Sequence, residues 1–171
     1  MALLLGDPSF PSDYMAHLRH HGFPSPLLDW TSSPYIAAYF AFAHARRDDE
    51  VAIYAFVERP KNMKVSGSGE PTIHVVGPYI SAPKRHFLQK SRYTLCVQFD
   101  TGIGWRFVPH QRVFDRVRTD QDETWKLIIP ANERKKVLTF LDRFNLNAYS
   151  LFGSEESLME SLAVREIEMK R

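Results

Sequence analysis

The 171-residue chain contains one cysteine, Cys96, so no internal disulfide can form and a cytoplasmic setting is the default expectation. Long hydrophobic runs are missing, so no membrane-spanning helix is predicted and no membrane partner is expected. The opening Met1-Ala-Leu-Leu-Leu run stops at Gly6-Asp7-Pro8. It is too short for a signal peptide, lacks a basic start, and reads as the remnant of an element that begins outside this chain. Charge of one sign is also scarce: 22 Lys and Arg oppose 20 Asp and Glu, a net of +2 that gives no general case for nucleic acid. There is no Gly-x-Ser-x-Gly elbow, no phosphate-binding P-loop and no dinucleotide fingerprint. Gly67-Ser68-Gly69 is too sparse for a phosphate cradle and reads as a flexible turn. Cys96 lies in an apolar strand pattern with no basic neighbours and is expected to be buried and inert. His20 and His21 are adjacent, so their side chains diverge. His17 and His21 share a helical face but lack a third ligand, and no metal site is expected.

What is present is a chain of 44% hydrophobic and 13% aromatic residues, enough for a buried core in one domain spanning 1–171. The organising stretch is Arg19 to Ala43, RHHGFPSPLLDWTSSPYIAAYFAFA. Pro24 and Pro26 hold the backbone extended ahead of Leu27-Leu28-Asp29-Trp30-Thr31. Ser33 reads as a helix N-cap and Pro34 as the first helical residue. The helix is apolar on most faces, which predicts burial, and it should run to about Arg47 with Arg46-Arg47 at the negative end of its dipole.

Before it, Ser12 to His21 reads as a short helix capped by Ser12 and ended by Gly22, with Tyr14, Met15 and Leu18 on one face. After it, Val51–Val57 is predicted as a buried strand, central in the sheet. Pro60 to Pro71 reads as a mobile loop, Thr72–Val76 as a strand broken by Gly77-Pro78, and Lys84–Lys90 as helical or irregular. Tyr93–Phe99 and Trp125–Ile129 read as further strands, with Gly102–Pro109 a hairpin partner or loop between them. Asn132 is expected to cap a helix from Glu133 to Phe144, with Val137, Leu138, Leu141 and Phe144 at core spacing. Ser154 caps the last helix, Glu155 to about Glu168. Strands and helices do not alternate strictly. The predicted class is therefore α+β: a mixed or antiparallel central sheet, a buried helix after the Leu-Leu-Asp-Trp-Thr turn, and two C-terminal helices.

Two clusters could carry chemistry. A carboxylate between apolar neighbours needs hydrogen bonds or water. Asp29 either braces the following turn, with Thr31 and Ser32 bonding backbone amides, or stands with Thr31, Ser32 and Ser33 at the mouth of a pocket. The helix N-terminus there would offer amides to a phosphate or carboxylate. Trp30 is a core residue or a stacking surface for a base. His20 is expected beside Asp29 as an orienting pair, and Tyr35 completes the ligand-binding set. The second cluster, Lys84-Arg85-His86 followed by Gln89, is a solvated loop or a place where Arg85 neutralises a pyrophosphate and Gln89 holds a ribose hydroxyl.

The stretch RHHGFPSPLLDWTSSPYIAAYFAFA resembles the central signature of the FRG domain family, roughly Gln-His-aromatic-Gly-Leu-Pro-Thr-Arg-Leu-Leu-Asp-Trp-Thr. His20, Gly22, Pro24, Leu27, Leu28, Asp29, Trp30 and Thr31 match it. Arg19, Ser25 and Pro26 stand where Gln, Thr and Arg are common. His86 to Tyr93, Trp125 to Pro130 and Asn145 to Phe152 resemble later blocks of the family. The naming tripeptide Phe/Tyr-Arg-Gly occurs nowhere in the chain, so the resemblance implies a domain truncated at its N-terminus. Activity that needs that arginine would be impaired. The motif order is similar to that of ADP-ribosyltransferases, with Thr31-Ser32-Ser33 in the second place and Gln89 in the third. Arg92 stands near where a Glu could complete the third place. This implies catalytic roles for Gln89, Asp29 and Thr31, ligand contacts from His20, Trp30, Ser32, Tyr35 and Arg85, NAD as a substrate, and no certain cofactor. The alternative is a non-enzymatic module that holds a nucleotide or peptide within a bacterial defence or toxin-like system, with a protein partner over the truncated edge.

Overall fold

The computed structural model describes residues 12–46, 49–59, 69–76, 84–115 and 122–170. It contains helices together with antiparallel strand pairs, an α+β protein as the element order predicts. The chain forms two compact units. The first draws on Met1–Trp30, Ala55–Ala82 and Arg92–Trp125, and the second on Thr31–Tyr54, Pro83–Ser91 and Lys126–Arg171.

The first unit is organised by β4 (Ser91–Asp100), whose run Tyr93–Val97 is buried throughout. A strand buried on both faces carries no polar alternation, which is why its sequence reads as a mostly apolar run, interrupted in Tyr93–Val97 only by Thr94. β4 pairs with β1 (Leu28–Thr31) and β3 (Thr72–Val76), and with β5 (Gly104–Phe107) through a tight hairpin. The β3 register sets Thr72 opposite Val97 and Val76 opposite Tyr93. The hairpin sets Val97 opposite Phe107 and Asp100 opposite Gly104, whose φ of +87° suits glycine at the turn. One face of β4 packs Tyr93, Leu95 and Val97 on Ala16 of α1 (Ser12–His20) and on Leu27. The other packs Cys96 with Ile73, Val108 and Val113 of the short helix α4 (Gln111–Phe114), an element the sequence did not signal. Gly22, at φ +79°, closes α1 through its amide to the Arg19 carbonyl. The expected Ser12 cap and the Tyr14 side chain lie outside the described side chains.

The second unit is built on α2 (Pro34–Ala43), which packs against α5 (Arg134–Arg143). Its core joins Ile36, Tyr39 and Phe42 to Val51, Leu138, Leu141, Ala148 and Leu151. α2 is buried along one face only: Tyr35 is 55% exposed and Phe40 44% exposed, which corrects the expectation of burial on most faces. The helix also stops at Ala43 rather than near Arg47. Its last carbonyls are capped from a distance: Arg134 Nε donates to Phe42 O at 3.0 Å and Nη2 to Ala43 O at 2.8 Å, while Nη1 pairs with Glu168. A fixed cation at the helix's negative end does the work assigned to Arg46-Arg47.

α5 begins after a 3₁₀ turn at Ala131–Glu133, so Asn132 is not its cap. Leu138 and Leu141 are buried, whereas Phe144 is exposed. α6 (Ala148–Phe152) and α7 (Glu155–Ala163) each start with a capping box, Asn147 with Ser150 and Ser154 with Ser157. One π turn, Val164–Glu168, extends α7.

β2 (Glu50–Val57) and β6 (Glu123–Pro130) form a separate two-stranded sheet. The expected central, buried strand at Val51–Val57 is therefore corrected. Only Val51 is buried, and Tyr54 and Val57 are exposed, as are Trp125, Leu127 and Ile128 on β6. The loop expected at Pro60 to Pro71 and the Gly77-Pro78 break fall largely outside the described residues, which resume at Gly69. No helix among the described residues is long and apolar enough to cross a membrane.

Candidate functional site

The elbow leading into α2 is held by its own side chains. Ser33 caps the helix, its Oγ accepting from the Ile36 amide at 3.4 Å. Thr31 Oγ1 accepts from the Ser33 amide at 3.2 Å and donates to the Gln89 carbonyl at 2.8 Å. Ser32 adds two bonds to the Lys90 carbonyl, from its amide at 3.1 Å and from its hydroxyl at 3.3 Å. Residues 58 positions apart are thus joined within the second unit. α3 (Lys84–Leu88) ends immediately before Gln89, and Lys90 takes a φ of +49° to turn the chain into β4. The Gln89 carboxamide donates from Nε2 to the Leu151 carbonyl at 3.2 Å, fastening this turn to α6.

These bonds limit what the helix N-terminus can offer. Pro34 has no N–H, the Ile36 amide is capped by Ser33 Oγ, and the Ala37 amide bonds the Ser33 carbonyl. Of the first-turn amides only that of Tyr35 lies outside these contacts among the described residues. A phosphate there would meet the Tyr35 N–H rather than a nest of donors, because the Ser32 hydroxyl already donates to the Lys90 carbonyl. Arg85 on α3 is half-buried.

The other expected site residues belong to the first unit. For Asp29, Arg19 Nε donates to its Oδ2 at 2.9 Å, with the carboxylate side chain 50% exposed. Arg19 is therefore the partner found for Asp29 among the described residues, and the His20 side chain, expected beside it, lies outside them. Trp30 is half-buried, and its indole N–H donates to Thr94 Oγ1 at 2.8 Å. Thr94 in turn lies 2.8 Å from His110 Nε2. All three groups are satisfied when Thr94 accepts from Trp30 and donates to a neutral His110 protonated on Nδ1. Burial holds the His110 pKa below its usual 6.5, consistent with that neutral form. Sequence reasoning missed Thr94 and His110. The only signal was a threonine and a histidine inside apolar surroundings.

Two concavities of the second unit are lined by other residues. One, of about 20 Å³, lies among Tyr39, Leu138, Asn147, Glu160 and Ser161, room for one water. Burial first, and then the neighbouring Glu160, push the Tyr39 hydroxyl up to about 12. The other, an open depression of about 390 Å³, is flanked by Phe40, His44, Asp49 and Val51. Cys96 is buried, and burial raises its thiol to about 11, so it carries no thiolate near neutrality. The described residues contain no cluster of three or more His, Cys, Asp or Glu able to hold a metal ion.

Helices with antiparallel strand pairs, and a polar elbow at the start of the central helix, place the chain in the α+β class. Within that class, the FRG domain model matches residues 6–50, the span that carries α1, β1 and α2. The blocks around Gln89, Trp125 and Asn145 lie outside that match. No curated protein and no solved structure matches the chain.

Proposed function

We propose that this chain is an FRG-domain protein that holds a nucleotide, with NAD as the candidate, at the elbow of its second unit. The ligand would meet Ser32, Tyr35 and Arg85 beside the Thr31–Gln89 junction. Turnover of ADP-ribosyltransferase type would be weak or absent. The observation that carries this reading is the bond from Thr31 Oγ1 to the Gln89 carbonyl at 2.8 Å. It joins the signature elbow to Gln89, a later residue to which the family resemblance gives a catalytic role.

Hydrolysis of NAD would break the glycosidic bond from ribose to nicotinamide. Nicotinamide departs with the bonding pair, water adds to the ribose carbon, and one proton is released. An oxocarbenium-like centre needs a nearby stabilising group. Here the Thr31 hydroxyl and the Gln89 amide are both committed to backbone carbonyls. Arg92, a cation, stands near where the family pattern would place a carboxylate.

Incubating the purified chain with NAD, with nicotinamide release followed by chromatography and melting temperature measured in parallel, tests the reading. The expected result is a rise in melting temperature with little or no nicotinamide, and loss of that rise in Arg85→Gln, which removes the charge proposed to meet the ligand. A melting temperature indifferent to millimolar NAD and ADP would overturn it. Rapid release would show that the elbow is catalytically competent as it stands.

A further inference from the structure

In the first unit, one glutamine gathers two guanidinium groups. Gln98 Nε2 donates to the Gly69 carbonyl at 2.7 Å, which fixes the direction of its carboxamide. Oε1 consequently faces the other way. It accepts from Arg106 Nη2 at 3.4 Å and from Arg112 Nη1 at 2.9 Å. Sharing one acceptor, the two donor nitrogens lie within roughly 6 Å of each other.

The fold builds this pairing. Gln98 and Arg106 are cross-strand partners in the β4–β5 hairpin and so share a face. Arg112 arrives from α4, whose Val113 is seated in the core beneath. A neutral amide oxygen does not cancel two positive charges. The nearby Asp100 Oδ2 stands 3.9 Å from Arg106 Nη2, beyond hydrogen-bond distance, and offsets one of them in part. Arg106 Nε is buried and has no hydrogen-bond partner among the described residues. A buried donor of this kind normally finds an acceptor.

Two forks beside one another, with donors to spare, suit a tetrahedral oxyanion of charge near −2 better than a singly charged carboxylate, which one fork satisfies. We propose that Gln98, Arg106 and Arg112 form an anion site that takes a phosphate group, free or carried on a small molecule.

Inorganic phosphate titrated into the full chain, with the arginine Nε–Hε resonances followed by NMR, reads the site directly. The Arg106 and Arg112 signals should shift saturably, and Arg112→Gln should weaken binding at least tenfold. Arg112 is exposed, so that variant is expected to fold. Thr31→Val, in the separate proposed nucleotide site, should leave these shifts unchanged, so the two readings fail independently. Methyl phosphate matching inorganic phosphate assigns the site to a phosphate borne on a molecule, and inorganic phosphate binding alone assigns it to the free ion. Equal shifts with acetate or chloride at matched ionic strength would overturn the proposal, as would persistence of the shifts in Arg112→Gln.

Discussion

Replacing Thr94 with valine removes one hydroxyl and almost no volume, so its cost reports hydrogen bonding rather than packing. Thr94 is fully buried, and its Oγ1 lies 2.8 Å from both Trp30 Nε1 and His110 Nε2. The variant strands one indole N–H and one buried imidazole nitrogen, each costing about 1–3 kcal/mol. Trp30 is half-buried and can recover part of its loss through water. The expected net destabilisation is therefore about 2–4 kcal/mol. Urea unfolding at pH 7.5 measures it, with Thr94→Ser as the control that keeps the hydroxyl and loses only a methyl, about 1 kcal/mol. The same network sets a pH dependence. The folded pKa of His110 lies below its ordinary 6.5, so near and below that pH the unfolded chain binds more protons than the folded one. Stability is then fully present above 6.5 and declines as pH falls toward the folded pKa. His110→Gln should flatten that decline. A Thr94→Val variant within 0.5 kcal/mol of wild type would refute the argument and mean that water or another group serves both ring nitrogens.

Arg134→Gln should destabilise the protein by about 2–4 kcal/mol, because two charge-assisted bonds to the last α2 carbonyls are lost together. Glu168→Gln should cost under about 1 kcal/mol, because the glutamate side chain of that pair is 47% exposed. Equal effects of the two, measured by urea unfolding, would show that the ion pair rather than the helix end is what Arg134 supports. Cys96, buried and with its thiol raised to about 11, should react with a disulfide reagent at pH 8 only as fast as the protein opens. Immediate labelling of the native protein would contradict that burial.

Local chemistry was legible at several element starts. Ser33 and Pro34 mark the α2 start, Ser154 marks that of α7, and turn residues bracket β3 at Thr72–Val76. Asn147 with Ser150 is equally local. Its capping box was available in the sequence, in the Asn145 to Phe152 block, to which no helix was assigned. Distant partners were not legible. The end of α2 is set by Arg134, 92 positions on. The partner of Asp29 is Arg19 on α1, and that of Trp30 is Thr94, 64 positions on. An apolar run also fails to say which sheet a strand joins, which is why β2 was expected as a buried central strand and instead pairs with β6 in a largely exposed two-stranded sheet. Of the site, Thr31 and Gln89 meet, whereas Asp29 and Trp30 are engaged by other residues of the first unit.

The reach from Phe42 to Arg134 also has a meaning in time. During translation at about 5–20 residues per second, α2 leaves the ribosome some 5–20 s before the guanidinium that finishes its last turn exists. Through that interval Ile36, Tyr39 and Phe42 have no α5 to lie against. The nascent chain therefore carries uncovered apolar side chains for seconds. Slow codons between residues 43 and 134 would lengthen that exposure and make expression of this protein depend on chaperone supply.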